Sequence, residues 1–194
     1  MPLVPCPAAV NARQYPQRAA VSWAGRSVVW EALNNYIHST SRYLKEIAVR
    51  PNARILLLRE DSPSYIIVLL ALWRIGAAVC PVPVQASSEY IEQIRAIVKP
   101  EGVIGPRKIR KVWGAGGRWV DIEQVVAYGY NDSFLGSETA LDPKIDTDHQ
   151  ALLRIEEDQG GLRVQVLTHA GLKDDPKDMA SFFYSLDTGE ALIF

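Results

Sequence analysis

Apolar positions change their spacing several times along this chain, and each change marks an element. Ala19 to Trp23 and Ser27 to Trp30 are short β-prone runs on either side of Ala24-Gly25-Arg26, which predicts a strand turning back on a second. From Trp30 the spacing becomes helical. Trp30, Leu33, Ile37, Thr40, Leu44 and Ile47 recur at three and four residues, one face of an amphipathic helix ending near Ala48, ahead of Pro51. Arg54 to Leu58 is a continuous apolar run of strand length, which suits a strand covered on both faces. Asp61-Ser62-Pro63 predicts a helix start, with Asp61 or Ser62 as cap and Pro63 in the first turn, and Gly76 a stop. Ala77 to Val82 then predicts a buried strand, Ser87-Ser88-Glu89 a helix carrying Ile91, Ile94, Ile97 and Val98, and Gly102 to Ile104 a further strand.

Strand and helix therefore alternate, which predicts an α/β protein with a doubly wound, mostly parallel sheet flanked by helices. From Pro106 to Asp148 the pattern weakens. Gly114-Ala115-Gly116-Gly117 reads as a turn between two short extended pieces, and Tyr128 to Asp146 as a long loop. Ala151 to Ile155 and Leu162 to Leu167 predict a hairpin, Pro176 to Leu186 a helix, and Ala191 to Phe194 the start of a strand. A chain of 194 residues suits one domain. Residues 1–105 form its β-α-β-α-β core, 106–148 an irregular connection, and 149–194 a C-terminal hairpin, helix and final strand.

Composition narrows the function classes. Apolar residues at 48% and charged residues at 22% give a chain able to build a core. A net charge of −1 supplies no electrostatic reason to expect nucleic acid or an acidic membrane surface as partner. The longest apolar run, Tyr65 to Trp73, stops at Arg74, about half of the ~18 residues a membrane span needs. Cys6 and Cys80 make no disulfide framework, and Met1 to Pro5 shows no export signal, so a cytoplasmic protein is expected.

Several stretches resemble a known family. Pro51 to Pro63, followed by Leu70-Ala71-Leu72-Trp73-Arg74-Ile75-Gly76-Ala77-Ala78-Val79-Cys80-Pro81-Val82-Pro83, is similar to the adenylate-forming acyl- and aryl-CoA synthetases. In these a strand, an "N-S/T-P" helix start, an apolar helix and a "G-A-x-x-x-P-x-x-P" exit follow in order. Tyr15 to Ala20 and Trp30-Glu31-Ala32-Leu33 are similar to the opening of the ligases that activate o-succinylbenzoate. The Thr that often precedes that helix is Val29 here, and losing such a hydroxyl cap costs about 1 kcal/mol. Val164 to Leu172 resembles the "V-V-L-T-H-x-N-L" that follows the family's phosphate loop, and Ser185 to Glu190 its "G-L-x-x-G-D" turn.

Between these matches the signature "T-S-G-T-T-G-x-P-K" is overwritten. Ile155 stands for Thr, Glu156 for Ser, Glu157 for Gly, and Asp158 and Gln159 for the two following Thr. Gly160 matches, Gly161 fills the variable position, Leu162 stands for Pro and Arg163 for Lys. A phosphate loop aims backbone N–H groups, hydroxyls and a cation at a polyanion, and three acids reverse that sign. The resemblance thus implies a truncated subdomain of the ligase fold with a degenerate loop. Gly160, Arg163, Thr168 and His169 are the remnant of its cofactor-binding region. No catalytic residue, metal ligand or cofactor is expected for the chain alone; ATP with magnesium, and CoA, enter only if a partner chain completes the site.

The other candidate groups read as structure. His149 lies in the polar stretch Asp146-Thr147-Asp148-His149 with no second His or Cys at ligand spacing, and no nucleophile accompanies His169. Arg107, Lys108, Arg110, Lys111 and Arg118, with Trp113 and Trp119 interleaved, read as a solvated strand pair. Gly114 to Gly117 is no dinucleotide fingerprint, because no amphipathic helix is read after it. Met1 to Pro16 and the apolar helix Tyr65 to Trp73 are expected to leave an apolar face for a partner. The leading expectation is a chain without catalysis of its own, acting through protein contact: self-association, or docking as scaffold or accessory to an acyl-activating or acyl-carrier protein. The alternatives are one piece of a split acid–CoA ligase, or a module that keeps only an acyl or aryl pocket.

Overall fold

A computed structural model describes residues 3–59, 62–111, 118–132, 144–146, 148–173 and 192–193. The chain opens with β1 (Leu3–Pro5) and α1 (Pro7–Gln14), followed by the hairpin β2 (Ala19–Trp23) and β3 (Arg26–Val29). Then come α2 (Trp30–Glu46), β4 (Arg54–Arg59), α3 (Pro63–Arg74), β5 (Ala78–Pro83), α4 (Ser88–Val98) and β6 (Gly102–Gly105). A short 3-10 turn, Arg107–Ile109, precedes β7 (Arg118–Asp121) and α5 (Ile122–Asp132). The last described elements are β8 (Lys144–Asp146), β9 (Gln150–Asp158), β10 (Gly161–Thr168), α6 (His169–Lys173) and β11 (Leu192–Ile193).

The main sheet has six strands in the order β10-β9-β5-β4-β6-β7. Its ladders are parallel except for the β9–β10 hairpin at one edge. Within it β4 lies between β5 and β6, so successive crossovers leave to opposite sides and the sheet is doubly wound. The period of two along β4 decides the packing. Ile55 and Leu57 enter one core with α2, α3 and α5, whereas Leu56 and Leu58 enter another with Ile91, Ile94 and Val98 of α4.

Local chemistry sets the element ends. Ser62 and Ser87 each accept the N–H three residues on, capping α3 and α4. Gly76 ends the α3 turn with φ +80°, a conformation that suits glycine. Val29, at the start of α2, offers no side-chain cap. Instead the carbonyls of Arg18 and Pro16 accept from Trp30 and Glu31 at 3.0 and 3.1 Å, so the preceding loop replaces the missing hydroxyl.

Several expectations need correction. Residues 106–148 are not irregular throughout. They contain β7 and the helix α5, whose Ile122, Val125 and Val126 are buried on one face. An amphipathic helix therefore does follow the glycine run, although a strand intervenes. Met1 to Pro16 carries α1, with Ala8, Ala9 and Asn11 buried. The apolar helix α3 leaves no face for a partner: from Tyr65 to Trp73 every residue is buried. Trp30 begins α2 and does not end β3. The predicted glycine turn and the helix over Pro176 to Leu186 lie outside the described residues, and the final strand is seen as β11 running parallel to β2.

Candidate functional site: the acidic hairpin and the histidine at its base

In parallel α/β sheets ligands collect at the carboxyl ends of the strands. β9 runs parallel to β5, with Leu152 beside Val79, so its Glu156-Glu157-Asp158 end projects at that edge. There the stretch likened above to a phosphate loop forms a closed hairpin. Residues Ile155 to Asp158 pair in register with Val164 to Gly161, leaving Gln159 and Gly160 as the turn. Gly161 takes φ +108°, at the place where a short hairpin loop carries a left-handed residue. The Asp158 carboxylate accepts the Gly160 N–H at 2.8 Å, as Asp does in turns, and also pairs with the Arg163 guanidinium. Glu157 stands near Tyr90 in the first turn of α4, whose hydroxyl pKa is raised by burial first, then by Cys80 and Glu157.

These residues do not fit a triphosphate. The surviving Gly160 donor and the Arg163 cation, the two groups suited to an anion, are both turned onto Asp158. Glu156 and Glu157 add negative charge to the same tip.

The structure brings Gly160 and Arg163 together and places Thr168 and His169 elsewhere. Thr168 lies five positions along β10 from Arg163, about 17 Å at the usual rise of β-structure. Thr168 Oγ1 accepts the Gly171 N–H at 3.1 Å and so starts α6. His169, 9% exposed, sits edge-on to Trp73 with ring centroids 5.6 Å apart. Its backbone N–H donates to the His149 carbonyl, and its ring Nε2 has no hydrogen-bond partner among the described residues. Burial lowers the His169 pKa to about 4; His149 adds to the shift and Asp146 opposes it. His149 Nε2 lies 3.4 Å from the Asp146 carboxylate, and Trp73 Nε1 donates to the Ala151 carbonyl at 2.9 Å.

Sequence reasoning missed this cluster. It named His149 and His169 separately, and no local signal ties either to Trp73, which lies in another element. Among the described residues no group of three His, Cys, Asp or Glu is placed to hold a metal. The basic run also changes shape. Arg107, Lys108, Arg110 and Lys111 are exposed around a partly buried Ile109, whereas Arg118 begins β7 opposite Gly102, at the far edge of the sheet. Trp119 packs partly buried under the sheet, and Trp113 lies outside the described residues.

The AMP-binding enzyme family matches residues 8–185. Nonribosomal peptide synthetase 7 of Gibberella zeae is 26% identical over 122 residues, which is 61% of this chain and 3% of that protein. The N-terminal subdomain of Klebsiella oxytoca NpsA, solved with 3-hydroxybenzoyl-AMSN, superposes with a TM-score of 0.75 at 18% identity, covering 88% of this chain and 42% of that one. NpsA fused artificially to ThdA as an adenylation–PCP di-domain gives 0.72 at 20% identity, over 89% of this chain and 31% of that one. The o-succinylbenzoate CoA synthetase of Bacillus subtilis, in complex with the acyl-adenylate intermediate OSB-AMP, gives 0.82 at 12% identity, over all of this chain and 44% of that one. The chain thus spans less than half the length of each of these proteins.

Proposed function

Because the chain belongs to the AMP-binding enzyme family, we propose that it keeps the framework of that family without its nucleotide chemistry and works through contact with other proteins. One observation carries this reading. The positions that align with the phosphate loop form a paired hairpin whose tip bears Glu156, Glu157 and Asp158. A like charge about 4 Å from a phosphate costs about 1 kcal/mol in water and about 4 at an effective dielectric of 20. The negative charge gathered at this tip then weakens nucleotide affinity by powers of ten, at ~1.4 kcal/mol for each.

The relatives support a partner class. Similarity to a nonribosomal peptide synthetase, and to NpsA as it stands fused to a PCP, supports a role as scaffold or accessory in an acyl-activating or acyl-carrier system. Two buried free cysteines agree with a reducing cytoplasm. No helix among the described residues is long and apolar enough to cross a membrane.

Isothermal titration of the chain with MgATP tests the proposal. Heats equal to those of dilution are expected up to millimolar nucleotide. A micromolar dissociation constant overturns the reading.

A further inference from the structure

Among the described residues the β9–β10 hairpin leaves an open flank on the main sheet. Among the described residues β10 pairs with β9 alone, so one row of its N–H and C=O groups has no strand beside it. Such an edge is a template for another strand unless charge, proline, shortness or a cover blunts it. The opposite edge is blunted, because β7 has four residues with Arg118 and Asp121 at its two ends. β10 has eight residues, no proline, and a single charged side chain in Arg163, which is turned to Asp158 at the tip. Val166 is 44% exposed, one of two large apolar side chains so exposed among the described residues.

We infer that this edge pairs with the same edge of a second copy of the chain, antiparallel about a two-fold axis at Gln165, joining the two main sheets into one. The inference rests on the protein-contact reading above and names the contact. A two-fold interface presents one patch from both sides, so the strand must complement itself. β10 does. With Gln165 opposite its own copy, Val164 falls opposite Val166 and Arg163 opposite Leu167, and no like charges meet.

The alternation of side chains keeps the faces in step. In the chain's own hairpin Val164 pairs with Ile155 and Val166 with Leu153, and Ile155, Val164 and Leu153 all pack in the core beneath α4. Across the axis each cross-strand row on that face therefore reads Ile155, Val164, then Val166 and Leu153 of the second copy. These rows are apolar throughout, and they cover the exposed Val166. On the other face Gln165 Oε1 accepts from Arg154 at 3.1 Å, which leaves the carboxamide NH2 to donate across the axis.

Light scattering and a site-directed cross-link on the full chain test this. Wild type at high loading concentration is expected at twice the monomer mass, and Val166→Lys at the monomer mass with an unchanged circular dichroism spectrum. Opposite residues of an antiparallel pair hold their Cβ atoms about 4.5–5.5 Å apart, close to disulfide reach. Gln165→Cys should therefore give a covalent dimer on mild oxidation, since the native Cys6 and Cys80 are buried. Glu157→Cys, on the neighbouring strand at the hairpin tip, should not. A monomeric wild type, a Val166→Lys dimer or an uncross-linked Gln165→Cys each overturns the pairing. MgATP titration of the same samples separates the two claims. A monomer that ignores nucleotide removes this interface and leaves the protein-contact reading, whereas nucleotide binding removes that reading whatever the mass.

Discussion

Lowering the pH from 7 to 5 should cost the fold about 2 kcal/mol through His169 alone. The buried ring resists protonation down to a pKa of about 4, against an ordinary value of 6.5. An unfolded chain accepts the proton as pH falls through 6.5, while the folded chain refuses it until about 4, so the unfolded state is favoured across that window. The contribution is intact above the ordinary value and declines as pH falls, and its loss levels off below the folded value at about 3 kcal/mol, from 1.36 kcal/mol per unit. The assay is urea unfolding followed by tryptophan fluorescence at both pH values, in wild type and in His169→Phe. Phenylalanine keeps an aromatic ring against Trp73, cannot titrate, and removes a ring nitrogen that has no partner among the described residues. Carboxylates titrate in both proteins and cancel. Wild type should therefore lose about 2 kcal/mol more on acidification than the variant does. Equal losses in the two proteins would refute the assignment of this acid sensitivity to His169.

Two further outcomes concern Trp73 and the hairpin turn. Trp73→Phe removes the indole bond to the Ala151 carbonyl, which is buried, and should cost about 1–3 kcal/mol in urea titrations; an unchanged midpoint would show that the carbonyl finds another donor. Gly161→Ala meets no atom within 4 Å but must hold φ +108°, so its cost is conformational, about 1 kcal/mol. It should raise amide exchange in β9 and β10 ahead of β4 and β5. Uniform protection across the sheet would count against a strained turn.

Where burial or capping is encoded within a few neighbouring residues, the element was legible. The apolar run Arg54 to Leu58, the Ser62 and Ser87 caps, the Gly76 stop and the period of α2 all specify their structure locally. The helix α5 escaped because only Ile122, Val125 and Val126 mark its inner face, with Gly129 soon after. α1 escaped because its buried positions are two alanines and an asparagine, which carry little amphipathic contrast. The fate of α3 was misread for a different reason. A helix apolar all round needs cover, and only the fold shows that α2, α5 and the sheet provide it.

The sequence by itself determined the alternation of elements and the doubly wound sheet, because propensity and periodicity act over a few residues. It also determined the sign of the hairpin tip. Only the tertiary structure decided that Arg163 spends its charge on Asp158, that His169 loses its proton affinity behind Trp73, and that among the described residues β10 pairs with β9 alone. Desolvation, pairing and exposure depend on which distant segments meet, and no local pattern carries that information.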